Sequence, residues 1–66
     1  MSAAVMTASE IRHAVVRARE NMSDVLYDLN DRPTLESERT LLDDMQRLTA
    51  HLVELYAEAW RRGVRL

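Results

Sequence analysis

The chain has 66 residues, a mass of 7.6 kDa and a formal net charge of −2. This length allows one small domain, and 47% apolar with 30% charged residues is typical of a folded chain rather than a disordered one. The absence of cysteine excludes disulfide scaffolds, cysteine-based zinc sites and thiol catalysis. No apolar run approaches the ~20 residues that cross a bilayer, and so small a net charge provides no general attraction for nucleic acid or anionic membranes.

Residues 1–7 have no charged side chain and too short an apolar stretch for a secretory leader, which predicts a cytoplasmic protein. All nine basic residues are arginine, a bias typical of a GC-rich genome such as that of a bacterium or phage. A single core in a chain below roughly 70–80 residues supplies little stability without a disulfide or a metal. We therefore expect self-association.

The first predicted element is a helix over residues 7–30. Thr7 followed by Glu10 fits a capping box at its start. Apolar residues then recur at alternating steps of three and four, the spacing of heptad positions a and d. This first stripe consists of Ala4, Ala8, Ile11, Val15, Ala18, Met22, Val25 and Leu29.

Residues 31–34 are predicted to form a turn. Pro33 lacks a backbone N–H and disfavours helical geometry at Arg32, and Asn30 and Asp31 favour a turn before it. A connection this short makes the flanking helices antiparallel.

The second predicted helix covers residues 35–62. Thr34 is its expected N-cap, with Glu36 in the first turn, and Gly63 is expected to end it. Its stripe consists of Leu41, Met45, Leu48, Leu52, Leu55 and Ala59, with Arg62 and Leu66 in the same phase.

Pairing residues at equal distances from the turn matches the two stripes along their whole length. The pairs run from Leu29 with Leu41, through Val15 with Leu55 and Ile11 with Ala59, to Ala8 with Arg62. The sequence thus predicts an all-α fold, an antiparallel two-helix hairpin, as a single domain over residues 1–66.

A second apolar stripe lies on one flank of this seam, at heptad positions e and b. A lone hairpin would leave it exposed, whereas monomers seldom display large apolar patches. We expect a second hairpin to cover it, giving a homodimeric four-helix bundle; a higher oligomer or a different protein partner is the alternative. The heptads leave open whether the hairpins run parallel or antiparallel. The predicted dimer or partner interface consists of Val16, Leu26, Leu42, Val53, Tyr56 and Trp60, with Val5, Leu35 and Thr49 beside them.

Two pairs have the i, i+3 spacing of a carboxylate–histidine metal site, namely Glu10 with His13 and His51 with Glu54. The heptad turns three of these four side chains to solvent, so we predict neither a metal nor another cofactor. Asp43 and Asp44 are adjacent but point about 100° apart, and no nucleophile or phosphate-loop motif is present. We therefore predict that the chain is not an enzyme and has no catalytic residues.

Arginines form two candidate contact groups. Arg12, Arg17 and Arg19 make the middle of the first helix locally basic, which makes them candidates for binding phosphates of nucleic acid, although acidic neighbours dilute their charge. Arg61, Arg62 and Arg65 at the C-terminal end are candidates for contacting a partner, because arginine beside aromatic residues is common at binding hot spots.

Two capped helices, a short turn and a length near 60 residues make the chain resemble, in architecture only, the repressor-of-primer family of colicin-type plasmids. That resemblance implies a dimeric four-helix bundle and binding of paired RNA loops by helix 1. No motif of the family matches residue by residue, so no binding residue is carried over. The sequence favours a small regulator or adaptor that acts as a homodimer, binds another macromolecule and makes no membrane contact; RNA or DNA binding is the alternative.

Overall fold

The computed structural model describes residues 2–66, and this part of the chain contains helices and no strand. Helix α1 spans Ala8–Asn30 and helix α2 spans Leu35–Arg62. They lie side by side in a rod of 41 × 16 × 15 Å, which confirms the predicted all-α hairpin. A short 3₁₀ helix over Ala3–Val5, which the sequence analysis did not predict, precedes α1 and packs on α2.

Reciprocal hydrogen bonds fix the start of α1. The backbone N–H of Thr7 donates to Oε1 of Glu10 at 2.9 Å, and the backbone N–H of Glu10 donates to Oγ1 of Thr7 at 3.1 Å. These two bonds form the predicted capping box, and they satisfy donors that the first helical turn leaves without partners. Helix α1 therefore begins at Ala8, directly after its cap.

The connection between the helices reverses the chain within four residues. Asp31 ends α1, with its N–H donating to the carbonyl of Asp28, and Arg32 then has φ +52°. This is left-handed geometry, which residues other than glycine, asparagine and aspartate seldom adopt. Thr34 caps α2 by accepting the N–H of Ser37 at 3.2 Å, as predicted for its role as N-cap.

Gly63 ends α2 in the left-handed conformation, with φ +71°. Its N–H donates to the carbonyl of Trp60 at 3.1 Å, and the N–H of Val64 donates to the carbonyl of Ala59 at 2.9 Å. These bonds form a Schellman motif, in which glycine is favoured because it has no Cβ. The chain then turns back, so that Val64 packs on the core and the carbonyl of Arg65 accepts a hydrogen bond from Nε of Arg12 at 3.1 Å.

The core is concentrated at the end of the rod where the two termini meet. Ile11 and Leu55 are fully buried, and the other buried residues are Ala3, Val15, Ala18 and Ala59. Towards the turn, the seam is only half-buried at Met22, Val25, Leu29, Leu41, Met45 and Leu48. The predicted stripes therefore form the seam between Ala8 and Arg62 and close it tightly at one end only, whereas Ala4 and Leu66 lie outside α1 and α2 and are exposed.

The rod exposes more surface than a folded chain of this mass ordinarily does. Its radius of gyration is 13.7 Å, whereas a compact domain of this length has about 11 Å. Its accessible surface is 5231 Å², against about 4,300 Å² for a typical monomer of the same mass. Two helices have only one mutual interface, so the excess of about 900 Å² follows from the architecture.

Neither helix within residues 2–66 combines the length and apolar character that crossing a membrane requires.

Leu55→Ala should lower the free energy of unfolding by about 2–5 kcal/mol, because it removes a fully buried side chain from the small core. Leu52→Ala should cost less, since Leu52 is only partly buried. Urea denaturation of both variants at one protein concentration measures the difference.

Leu66→Ala is the matched control for these truncations, because Leu66 is half exposed at the end of the chain. It should change the stability by no more than about 0.5 kcal/mol. Equal losses at Leu55 and Leu66 would contradict this description of the core.

Candidate interaction surface

The six apolar side chains of the predicted interface are all exposed in the hairpin. Helical spacing places them along one flank of the seam, at heptad positions e and b, because residues three, four and seven apart share a helix face. We call this set the apolar face, and it consists of Val16, Leu26, Leu42, Val53, Tyr56 and Trp60. Folding of a single chain therefore does not cover it.

Trp60 is the most exposed large apolar side chain of the apolar face, at 89%, and Tyr56 one turn earlier is 41% exposed. Tyr56 and Trp60 are exposed because the residues directly before them, Leu55 and Ala59, face the core. Val5 and Leu35 are also exposed and extend the apolar surface towards both ends of the rod. Large aromatic side chains bury about 150–250 Å² each when covered, so they dominate the energetics of such a surface.

The arginines of α1 are on the surface. Arg12 donates to the carbonyl of Arg65, which ties α1 to the C-terminal residues. Arg17 and Arg19 are exposed, and Arg17 borders a shallow groove between the helices that His51 also lines. All three arginines are therefore exposed to solvent, and Arg12 also has a structural contact.

Arg62 contacts the start of the chain. Its guanidinium donates to the backbone carbonyls of Ala3 at 3.0 Å, Ala4 at 2.8 Å and Met6 at 2.5 Å. Its Nε also donates to Oε1 of Glu58 at 2.6 Å. We call this arrangement the Arg62 clamp. The residue that was predicted as a candidate partner contact thus has its donors engaged within the chain.

The neighbouring C-terminal arginines differ from Arg62. Arg61 is exposed and forms a bidentate pair with Glu58, whereas the side chain of Arg65 is exposed at the end of the chain. The clamp was not expected from the sequence. The signal that could have revealed it is that Arg62 occupies an apolar position of the seam, where a charged residue needs a nearby partner.

Hydrogen bonds from Arg61 and Arg62 lower the pKa of Glu58 from its usual 4.5 to about 2. The hydrogen bond between Arg61 and Glu58 also raises the pKa of Arg61, because it favours the charged guanidinium. A carboxylate between two guanidinium groups favours its ionised form. Glu58 therefore remains charged through the acidic range and holds Arg62 in place.

Three of the other acidic side chains that the sequence singled out have structural contacts. Glu10 belongs to the capping box, and its hydrogen bonds with Thr7, the backbone one foremost, lower its pKa. Asp43 and Asp44 both pair with Arg47, at 3.0 and 2.8 Å. Across residues 2–66, no three histidine, aspartate or glutamate side chains come together in a way that suits a metal ion.

Comparison with protein-family models, curated proteins and solved structures finds no match for this chain.

Arg62→Met should lower the free energy of unfolding by about 1–3 kcal/mol, because it removes charge-assisted hydrogen bonds to backbone carbonyls and keeps an apolar stem. The N–H groups of Val5 and Met6, which are bonded within the 3₁₀ helix, should exchange faster with deuterium. Denaturation and hydrogen exchange measure the two effects. Arg65→Met is the control, and equal changes in both variants would show that the clamp has no specific role.

Stability should fall as the pH drops from 4.5 towards 2, because Glu58 titrates near 2 in the folded chain and near 4.5 when unfolded. The lowered pKa of Glu58 contributes its full stabilisation above pH 4.5. This contribution is lost as the pH falls through the folded-state pKa of about 2. Thermal melts of wild type and Glu58→Gln across this range should converge at the acidic end. Glu54→Gln, at an exposed position of the same helix, should instead parallel the wild type.

Proposed function

We propose that the chain is a small non-enzymatic interaction protein, a regulator or adaptor, that acts in the cytoplasm as a homodimeric four-helix bundle and binds another macromolecule. The exposed apolar face is the observation that supports this proposal most directly. A small chain that leaves Trp60 and Tyr56 uncovered needs a second surface of similar length and chemistry. A second copy of the hairpin provides that surface without any further component.

The size of the exposed surface supports a dimer. The chain exposes about 900 Å² more than a typical monomer of its mass. A standard interface buries about 800 Å² on each partner. Covering the apolar face with a second hairpin would therefore remove from each chain an area close to this excess.

The aromatic residues of α2 support a dimer of appreciable affinity. Tryptophan and tyrosine are enriched among residues whose truncation costs most at interfaces. Trp60 and Tyr56 lie one turn apart on the apolar face. They are the natural anchors of the dimer.

The polar surface away from the apolar face is left for the other macromolecule. In the hairpin, Arg17, Arg61 and Arg65 face solvent there, and the turn end is rich in carboxylates. A protein partner is our first expectation because the chain is acidic as a whole, with a net charge of −2.

Sedimentation equilibrium of the wild-type chain at micromolar concentration should give twice the chain mass of 7.6 kDa. Tyr56→Glu should raise the dissociation constant at least tenfold, because it places a charge inside the interface. Tyr27→Glu is the matched control, since Tyr27 is exposed but lies outside the apolar face, and it should leave the dimer intact.

A folded wild-type monomer at these concentrations would contradict the dimer. Native mass measurement of the complex recovered from the source cells tests the rest of the proposal. A dimer together with a further protein supports a regulator or adaptor, whereas a dimer bound to RNA or DNA would replace the protein partner with nucleic acid. A dimer with no further component would remove the binding role.

A further inference from the structure

The two halves of the rod have opposite charge. The turn half, residues 21–49, contains seven acidic side chains and three arginines, a net charge of −4. The other half, residues 1–20 and 50–66, contains four acidic side chains and six arginines, a net charge of +2. With a rod length of 41 Å, the hairpin is an electric dipole along its own axis.

The exposed residues of α2 are arranged symmetrically about the middle of the rod. Their positions on the e and b flank of α2 are equally spaced around a point between Arg47 and Leu48. At about 1.5 Å per residue, Trp60 and Leu35 each lie about 19 Å from this point, and Val53 and Leu42 each lie about 8 Å from it. If a second copy of α2 lies antiparallel with this point at the same level, each exposed residue of one copy lies level with a residue of the other that it can pack against. The level pairs are Trp60 with Leu35, Tyr56 with Arg39, Val53 with Leu42, and Thr49 with Gln46.

We propose that the second copy lies antiparallel on the apolar face, with α2 against α2 and the two-fold axis passing between Arg47 and Leu48. This proposal rests on the homodimer proposed above and specifies its geometry. Trp60 of each copy covers Leu35 of the other. Arg39 lies against the ring of the other copy's Tyr56, a cation–π arrangement that favours arginine.

The charges select this orientation over a parallel one. An antiparallel pair places each half of net charge −4 beside a half of net charge +2. A parallel pair places the two acidic halves together, and like charges facing each other across an interface are costly.

The absence of cysteine makes single-cysteine spin labels a clean test in the full chain. Ala50 and Ala57 are both exposed, lie two turns apart on the outer side of α2, and are small enough to replace. In the antiparallel dimer the two labels of Ala57→Cys are separated along the axis by about 28 Å, and those of Ala50→Cys by about 8 Å. Pulsed electron–electron resonance should therefore give a clearly longer distance for Ala57→Cys.

Equal distances for the two variants would overturn the antiparallel geometry and leave the homodimer standing. No distance for either variant would mean that no dimer forms, which would contradict the proposed function itself. Salt provides a second readout on the wild-type chain. Raising sodium chloride from about 50 to 500 mM should weaken the antiparallel dimer by screening its opposite charges, whereas tighter association with salt would contradict the charge argument.

Discussion

The apolar seam between α1 and α2 is the contact on which the whole structure depends. It joins two helices that have no other long partner within the described residues 2–66, and Ile11 and Leu55 are the largest side chains fully removed from water there. Near the turn the seam residues remain half-covered. Because hydrophobic stabilisation scales with the area buried, a seam of this size leaves the hairpin with a small margin of stability.

Polar contacts at the ends of the helices supplement this small core. The Arg62 clamp fastens the first residues over the end of the seam, and the Schellman motif at Gly63 returns Val64 to the same core. Both devices act where the core is tightest. The turn end has a tight connection and the Thr34 cap, but no fully buried side chain lies near it.

Association and stability are therefore coupled in the proposed dimer. Covering the apolar face would remove Trp60 and Tyr56 from water, and the fold and the dimer would then share the same apolar burial. Stability would then depend on protein concentration, as it does for other small chains that fold and associate together. The opposite charges of the two halves favour one orientation of the two copies, because electrostatic complementarity contributes more to specificity than to affinity.

The sequence by itself determined the helices, their ends, the turn and which side chains a lone hairpin leaves exposed. Caps such as Thr7, Thr34 and Gly63 act through hydrogen bonds that span a few residues, and heptad spacing assigns every side chain to a face. Only the tertiary structure decided that the 3₁₀ helix packs on α2, that Arg62 turns inwards to hold it, and that the core closes at one end. Those outcomes depend on contacts between residues far apart in the chain, such as Arg62 with Ala3 and Met6, whose geometry no local pattern encodes.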